Sequence, residues 1–127
     1  MNDTPPALDE LVRSLWYFFD AGRFQDVLPL LSKDFDATWP NTRERIVGLE
    51  NFVSLNETYP GRWRCTICRL DWIGSEVMTV TRISDGSVQL VAISFFKGQD
   101  GLITSATEYF ADMVDPPYDR SRWAERY

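Results

Sequence analysis

An α+β domain, with helices laid over one face of a strongly twisted antiparallel sheet, is the fold class this sequence predicts. Three observations predict it. Apolar residues recur at helical spacing near the N-terminus, the second half is filled by strand-like apolar runs, and two Asp-Gly pairs, Asp85-Gly86 and Asp100-Gly101, separate some of those runs with hairpin signals. With 127 residues, 44% of them hydrophobic and 14% aromatic, the chain can bury a core as one domain spanning 1–127.

The elements follow in order. Thr4 is the expected N-cap of a first helix with Pro5 in its first turn, and Leu8, Leu11, Val12, Leu15, Phe18 and Phe19 form its apolar stripe. Gly22 supplies a left-handed stop. Phe24, Val27, Leu28, Leu30 and Leu31 suggest a short second helix that Pro29 breaks or kinks. Phe35, Ala37 and Trp39 alternate with Asp36 and Thr38, which gives a short strand halted by Pro40, and Thr42 to Val47 is expected to be a charged loop. Gly48 to Tyr59 permits a third helix, stopped by Pro60-Gly61. Trp63 to Ile73, Glu76 to Ser84, Ser87 to Lys97 and Leu102 to Asp112 then form an antiparallel meander.

Composition excludes several functions. Thirteen basic against nineteen acidic residues, a net charge of -6, remove the footprint expected for nucleic-acid binding. No apolar run is long enough to span a bilayer, and the N-terminus has no basic region followed by an apolar core, so a cytoplasmic location without membrane contact is expected. The chain has no histidine, which rules out Ser-His-Asp and Cys-His machinery and leaves proton transfer to Asp, Glu, Tyr, Lys or Cys. Cys65 and Cys68 form a lone C-x-x-C with no second ligand pair; on a strand they would point to opposite faces. The seven glycines are scattered singly, with no phosphate loop. No metal and no cofactor are expected.

The order of elements and the residues at their joints resemble the nuclear transport factor 2-like superfamily, in particular its SnoaL-like, polyketide cyclase-like branch. The marks are Asp20-Ala21-Gly22 closing the first helix, Asp34 and Trp39-Pro40 around the first strand, Gly48 before the third helix, Asp100-Gly101-Leu102-Ile103-Thr104, and Glu108-Tyr109-Phe110-Ala111-Asp112. The resemblance implies a cone-shaped, curved antiparallel or mixed sheet packed against about three helices, a cystatin-like roll with an apolar cavity at its open end and frequent dimerisation. Ketosteroid isomerase relatives place a catalytic aspartate just before the proline that ends the first strand and a tyrosine in the first helix. Here those places hold Trp39 and Leu15, which argues against isomerisation by that mechanism. Dehydratases that rely on histidine are excluded, while an aspartate-based cyclase or an Asp-Arg-Asp epoxide hydrolase stays open.

Glu108 is the candidate catalytic residue, because it shares a strand face with Ala106 and Phe110, and an acid among apolar neighbours acquires a raised pKa. The competing and favoured structural reading is an ion pair with Arg69, Arg82, Arg120, Arg122 or Arg126. Trp39 either lines the cavity mouth or fills the core. Trp16, at the edge of the helical stripe, either projects into the pocket or packs in the core, and Phe110 is a candidate lining residue. Asp34 and Asp36 could act as paired carboxylates, although a turn residue and a solvated one are the simpler assignments. Both faces of the meander are apolar, so a partner sheet and a homodimer are expected. The tail is expected to pack through Tyr118 and Trp123. The functional expectation is binding or conversion of a small lipophilic molecule; the alternative is a non-catalytic ligand-binding or dimeric assembly module of the same fold.

Overall fold

A computed structural model of the chain describes residues 4–127. Its elements are helix α1 (Leu8–Ala21), a 3-10 helix (Phe24–Leu30), strands β1 (Leu31–Trp39) and β2 (Glu44–Val47), helix α2 (Leu49–Thr58), and strands β3 (Arg64–Ile73), β4 (Glu76–Ser84), β5 (Gln89–Gln99) and β6 (Leu102–Asp112). The strands form one open, mixed sheet in the order β2-β1-β6-β5-β4-β3. Every neighbouring pair is antiparallel except β1 with β6, which is parallel.

Helix α1 buries Leu8, Leu11, Val12, Leu15, Trp16 and Phe19 against the sheet. It starts later than expected. Pro5 and Pro6 hold the backbone extended, and the N-cap is Ala7, without a side-chain cap. It ends as expected, at Gly22 with φ of 71°, where the N–H groups of Gly22 and Arg23 donate to the carbonyls of Phe19 and Phe18. Pro29 lies inside the 3-10 helix, whose looser hydrogen-bonding demand tolerates it, so the second helical segment never becomes a regular α-helix. Leu31, expected in that segment, already belongs to β1.

The charged loop expected over Thr42 to Val47 is instead largely strand. Ile46 is buried, and β2 pairs with β1 through Ala37 opposite Ile46. The charged residues around it mark a solvated edge strand. The meander follows the sequence closely: Asp100 and Gly101 both have positive φ, 54° and 77°, as a type I′ hairpin turn requires. At Asp85-Gly86 the Asp85 carboxylate accepts the N–H groups of Ser87 and Val88.

The core lies between the helices and one sheet face. Phe35 of β1 and Phe52 of α2 are fully buried with ring centroids 4.9 Å apart, and Val77, Ala92, Phe96 and Ile103 complete the sheet side. Where β5 shifts register at Gly98, a Cβ would meet Leu8 Cδ1 at 2.8 Å and the Leu102 carbonyl at 3.1 Å, so the start of α1 approaches a backbone with no side chain. The tail departs from expectation. Tyr118 and Trp123 are 66% and 75% exposed and stack with Arg120 and Arg122 rather than packing into the domain.

Asp20 ties the end of α1 to the sheet: its carboxylate accepts from Arg64 Nε at 2.9 Å and from the Cys65 backbone N–H at 2.9 Å. The Arg64 guanidinium holds the Asp20 carboxyl below its usual range, more than burial raises it. A depressed folded-state pKa contributes stability that is present above the unfolded value and disappears as pH falls through the folded one. Asp20→Ala therefore costs about 1–2 kcal/mol at neutral pH, and the cost shrinks in strong acid. Denaturant unfolding at both pH values checks this; an undiminished difference in acid would show that the carboxylate is not the cause.

Candidate functional site

Strand register builds the site. On the inward face Thr79 of β4 stands opposite Ser94 of β5, and Ser94 opposite Glu108 of β6. All three are buried. The Ser94 hydroxyl donates to Glu108 Oε2 at 2.7 Å, and the Trp39 indole N–H donates to Oε1 at 3.1 Å. At the far end of the row the Trp16 indole N–H donates to Thr79 Oγ1 at 3.1 Å. A polar line with an indole at each end thus crosses three strands of a surface that is otherwise largely apolar. Trp39 reaches Glu108 because β1 runs parallel to β6 with Thr38 opposite Thr107, which sets the next residue of each strand side by side.

Trp16, Trp39 and Glu108 of this line border a cavity of about 460 Å³ between the sheet, the end of α1 and the segment after α2, whereas Ser94 and Thr79 lie behind its lining. Trp16, Phe19 and Phe24 form one wall, Trp39 and Phe110 another, and Tyr59 and Trp63 flank the mouth. Trp39 and Phe110 meet edge to face at 5.2 Å. Asn41, just beyond β1, accepts the Phe110 backbone N–H at 2.9 Å and anchors the β1–β2 turn over β6. A shallower recess of about 250 Å³ near Leu8, Trp72 and Gly98 includes no buried ionisable group among its lining residues.

The electrostatics of Glu108 are set by its isolation from charge. It is 4% exposed, and among the described residues no cation lies within ion-pair distance of it. The expected arginine partner is therefore absent there: both oxygens are held by neutral donors. Burial pushes the carboxyl up from its ordinary range, and the hydrogen bonds from Ser94 and Trp39 pull against that rise without cancelling it. The shift runs in the direction that suits a carboxyl to carry a proton rather than to stay permanently ionised. Cys65 also lines the cavity, but burial pushes its thiol up to about 12, so it presents an inert S–H rather than a thiolate. Cys68 is exposed and both thiols are free.

The four residues singled out from the sequence, Glu108, Trp16, Trp39 and Phe110, line this one cavity. Trp16 is both core and wall, buried on α1 and also among the residues that line the cavity. Asp34 and Asp36 do not line it; Asp34 is an exposed residue of β1 rather than a turn residue, and Asp36 lies 3.9 Å from Arg45. Leu15 is buried in the core. Sequence reasoning missed Ser94 and Thr79. Their signal was parity: each is a hydroxyl in a run of inward positions that, apart from Thr81, is held by Val77, Ala92 and Phe96.

No family model matches the chain, and no curated protein matches it. Solved structures do. A proposed ketosteroid isomerase from Kribbella flavida is 28% identical, with 93% of this chain and 87% of that one covered and a TM-score of 0.81. An NTF2-like protein of unknown function from Burkholderia xenovorans is 25% identical, with 94% of each chain covered and a TM-score of 0.79. A proposed SnoaL-like polyketide cyclase from Jannaschia sp. shares the fold at 16% identity, 87% and 91% coverage and a TM-score of 0.65.

The raised folded-state pKa of Glu108 has a defined sign. The native protein binds this proton more tightly than the unfolded chain does. Stability therefore falls as pH rises from the unfolded carboxyl value, about 4.3, through the folded one. Glu108→Gln removes that dependence, so its stability relative to the parent improves over this window. Urea titrations of both proteins across pH read the difference; a constant offset would mean that the carboxyl is not perturbed.

Proposed function

We propose that this chain, a nuclear transport factor 2-like protein by fold, takes up a small lipophilic molecule in its cavity and that Glu108 exchanges a proton with it. One observation carries the reading: a buried carboxyl, held by two neutral donors, at the wall of an aromatic cavity of about 460 Å³. Cavities of this size and polarity suit small-molecule ligands. A carboxyl with a raised pKa can remove a proton from a bound molecule and return it elsewhere, which is the common requirement of cyclase-, isomerase- and hydratase-type steps. Ser94 and Trp39 fix the carboxyl's orientation and stabilise its charged form as the proton leaves it. The similarity to a proposed isomerase supports a ligand-converting role.

Trp39 stands where isomerase relatives, by the resemblance drawn above, carry their aspartate. In this chain the acid sits one strand across, on β6, and the β1 position supplies a donor to it. The proton carrier has in effect moved sideways in the sheet while still facing the cavity.

We also propose a homodimer through the outer sheet face, supported by exposed apolar residues there, including Ile93, Tyr109 and the Phe95–Tyr109 ring pair. Sedimentation at micromolar concentration is expected to give twice the monomer mass, and Tyr109→Lys to shift it toward monomer; a monomeric parent rejects the proposal.

A panel of small lipophiles titrated into labelled protein is expected to shift the indole N–H resonances of Trp16 and Trp39. For a compound that is also converted, Glu108→Gln lowers turnover by about 100-fold or more while still binding it. Unchanged turnover would remove Glu108 from the chemistry, and silent indole resonances across the panel would argue against the cavity as a ligand site.

A further inference from the structure

The charges around the cavity are lopsided, and this bears on what the bound molecule carries. Glu44, Glu57 and Asp112 line the mouth, and Glu108 lies inside. Arg62 is the one cation among the described lining residues, and its guanidinium is engaged by the carbonyls of Trp63 and Asp20. It is therefore already directed at backbone oxygens rather than held free for an incoming anion. The walls between the mouth and Glu108 are aromatic side chains, chiefly Trp16, Phe19, Trp39 and Phe110, which carry no charge of their own to oppose a cation.

We infer that the cavity selects lipophilic amines, with the ligand's basic nitrogen engaging Glu108. This rests on the proposed role of the cavity as a ligand site and names the class of molecule it takes. A buried carboxyl without a charged partner is costly, and a ligand that supplies an ammonium relieves that cost. If Glu108 is protonated when a neutral amine enters, its O–H bond breaks and an N–H bond forms on the ligand. The products are a carboxylate and an ammonium in contact, with no other reactant needed. The acids at the mouth act in the same sense. They raise the local concentration of cations and disfavour carboxylates and phosphates, an effect that salt screens.

The test uses three compounds on one skeleton, a naphthalene bearing an aminomethyl, a hydroxymethyl or a carboxylate group. Each is titrated at neutral pH into the full chain and into Glu108→Gln, with calorimetry and the Trp16 and Trp39 indole resonances as readouts. The amine is expected to bind at least about tenfold more tightly than the alcohol, as a cation paired with a partly desolvated carboxylate should, and the carboxylate most weakly of all. In Glu108→Gln that preference is expected to collapse, and the variant's urea midpoint shows separately that it keeps its fold. Amine and alcohol binding within about threefold of each other, or an amine preference that survives in Glu108→Gln, overturns the inference and leaves the cavity a ligand site. If none of the three perturbs the indole resonances, the inference and the reading beneath it fail together.

Discussion

The parallel pairing of β1 with β6 is the constraint on which the rest of the structure depends. It is the one parallel contact in the sheet, and it joins the N-terminal half of the chain to the meander. Its register decides which residue of β1 stands beside Glu108. A slip of one residue would turn Trp39 to the outer face, leave one carboxylate oxygen without its donor and open the wall that Trp39 forms with Phe110. The register is held from both sides: Phe35 and Ala37 face the core, and Ala37 packs between Ala106 of β6 and Ile46 of β2, where small side chains let neighbouring strands lie beneath the helices.

From that constraint the polar line across the sheet follows. Thr79, Ser94 and Glu108 share one row because antiparallel register carries a position straight across from β4 to β6. The indoles of Trp16 and Trp39 then satisfy its two ends from outside the meander. Thr81, in the adjacent row, is the exception: its buried hydroxyl has no partner among the described residues. The site is thus rigid where chemistry needs orientation, with side chains on strands and a helix, and its charged rim comes largely from turns and element ends, where residues can change without disturbing the row.

Much of the architecture was legible in the sequence, for reasons that differ by element. The meander was readable because Asp-Gly turns and period-2 alternation are local signals, and α1 because its stripe and Gly22 stop are. β2 was not, since Glu44 and Arg45 resemble loop residues and only the tertiary contact of Ile46 makes them a strand. The parallel β1–β6 contact left no local trace at all. At the site, Glu108 stood out as an acid among apolar neighbours, yet its partners could not be read: an ion pair is the default guess for a buried acid, whereas Ser94 and Trp39 become neighbours of Glu108 only through pairing across 14 and 69 positions.

That separation also orders how the molecule assembles. The meander can zip from turn to turn through short loops, whereas β1 has to close a much longer one before it gains any contact with β6. Until it docks, β6 presents a free edge beside apolar side chains, the arrangement through which nascent sheets join to one another. The strand that completes the wall of the cavity is therefore also the strand that silences the sheet's most adhesive border, so a β1 substitution that weakens docking threatens solubility as well as the pocket.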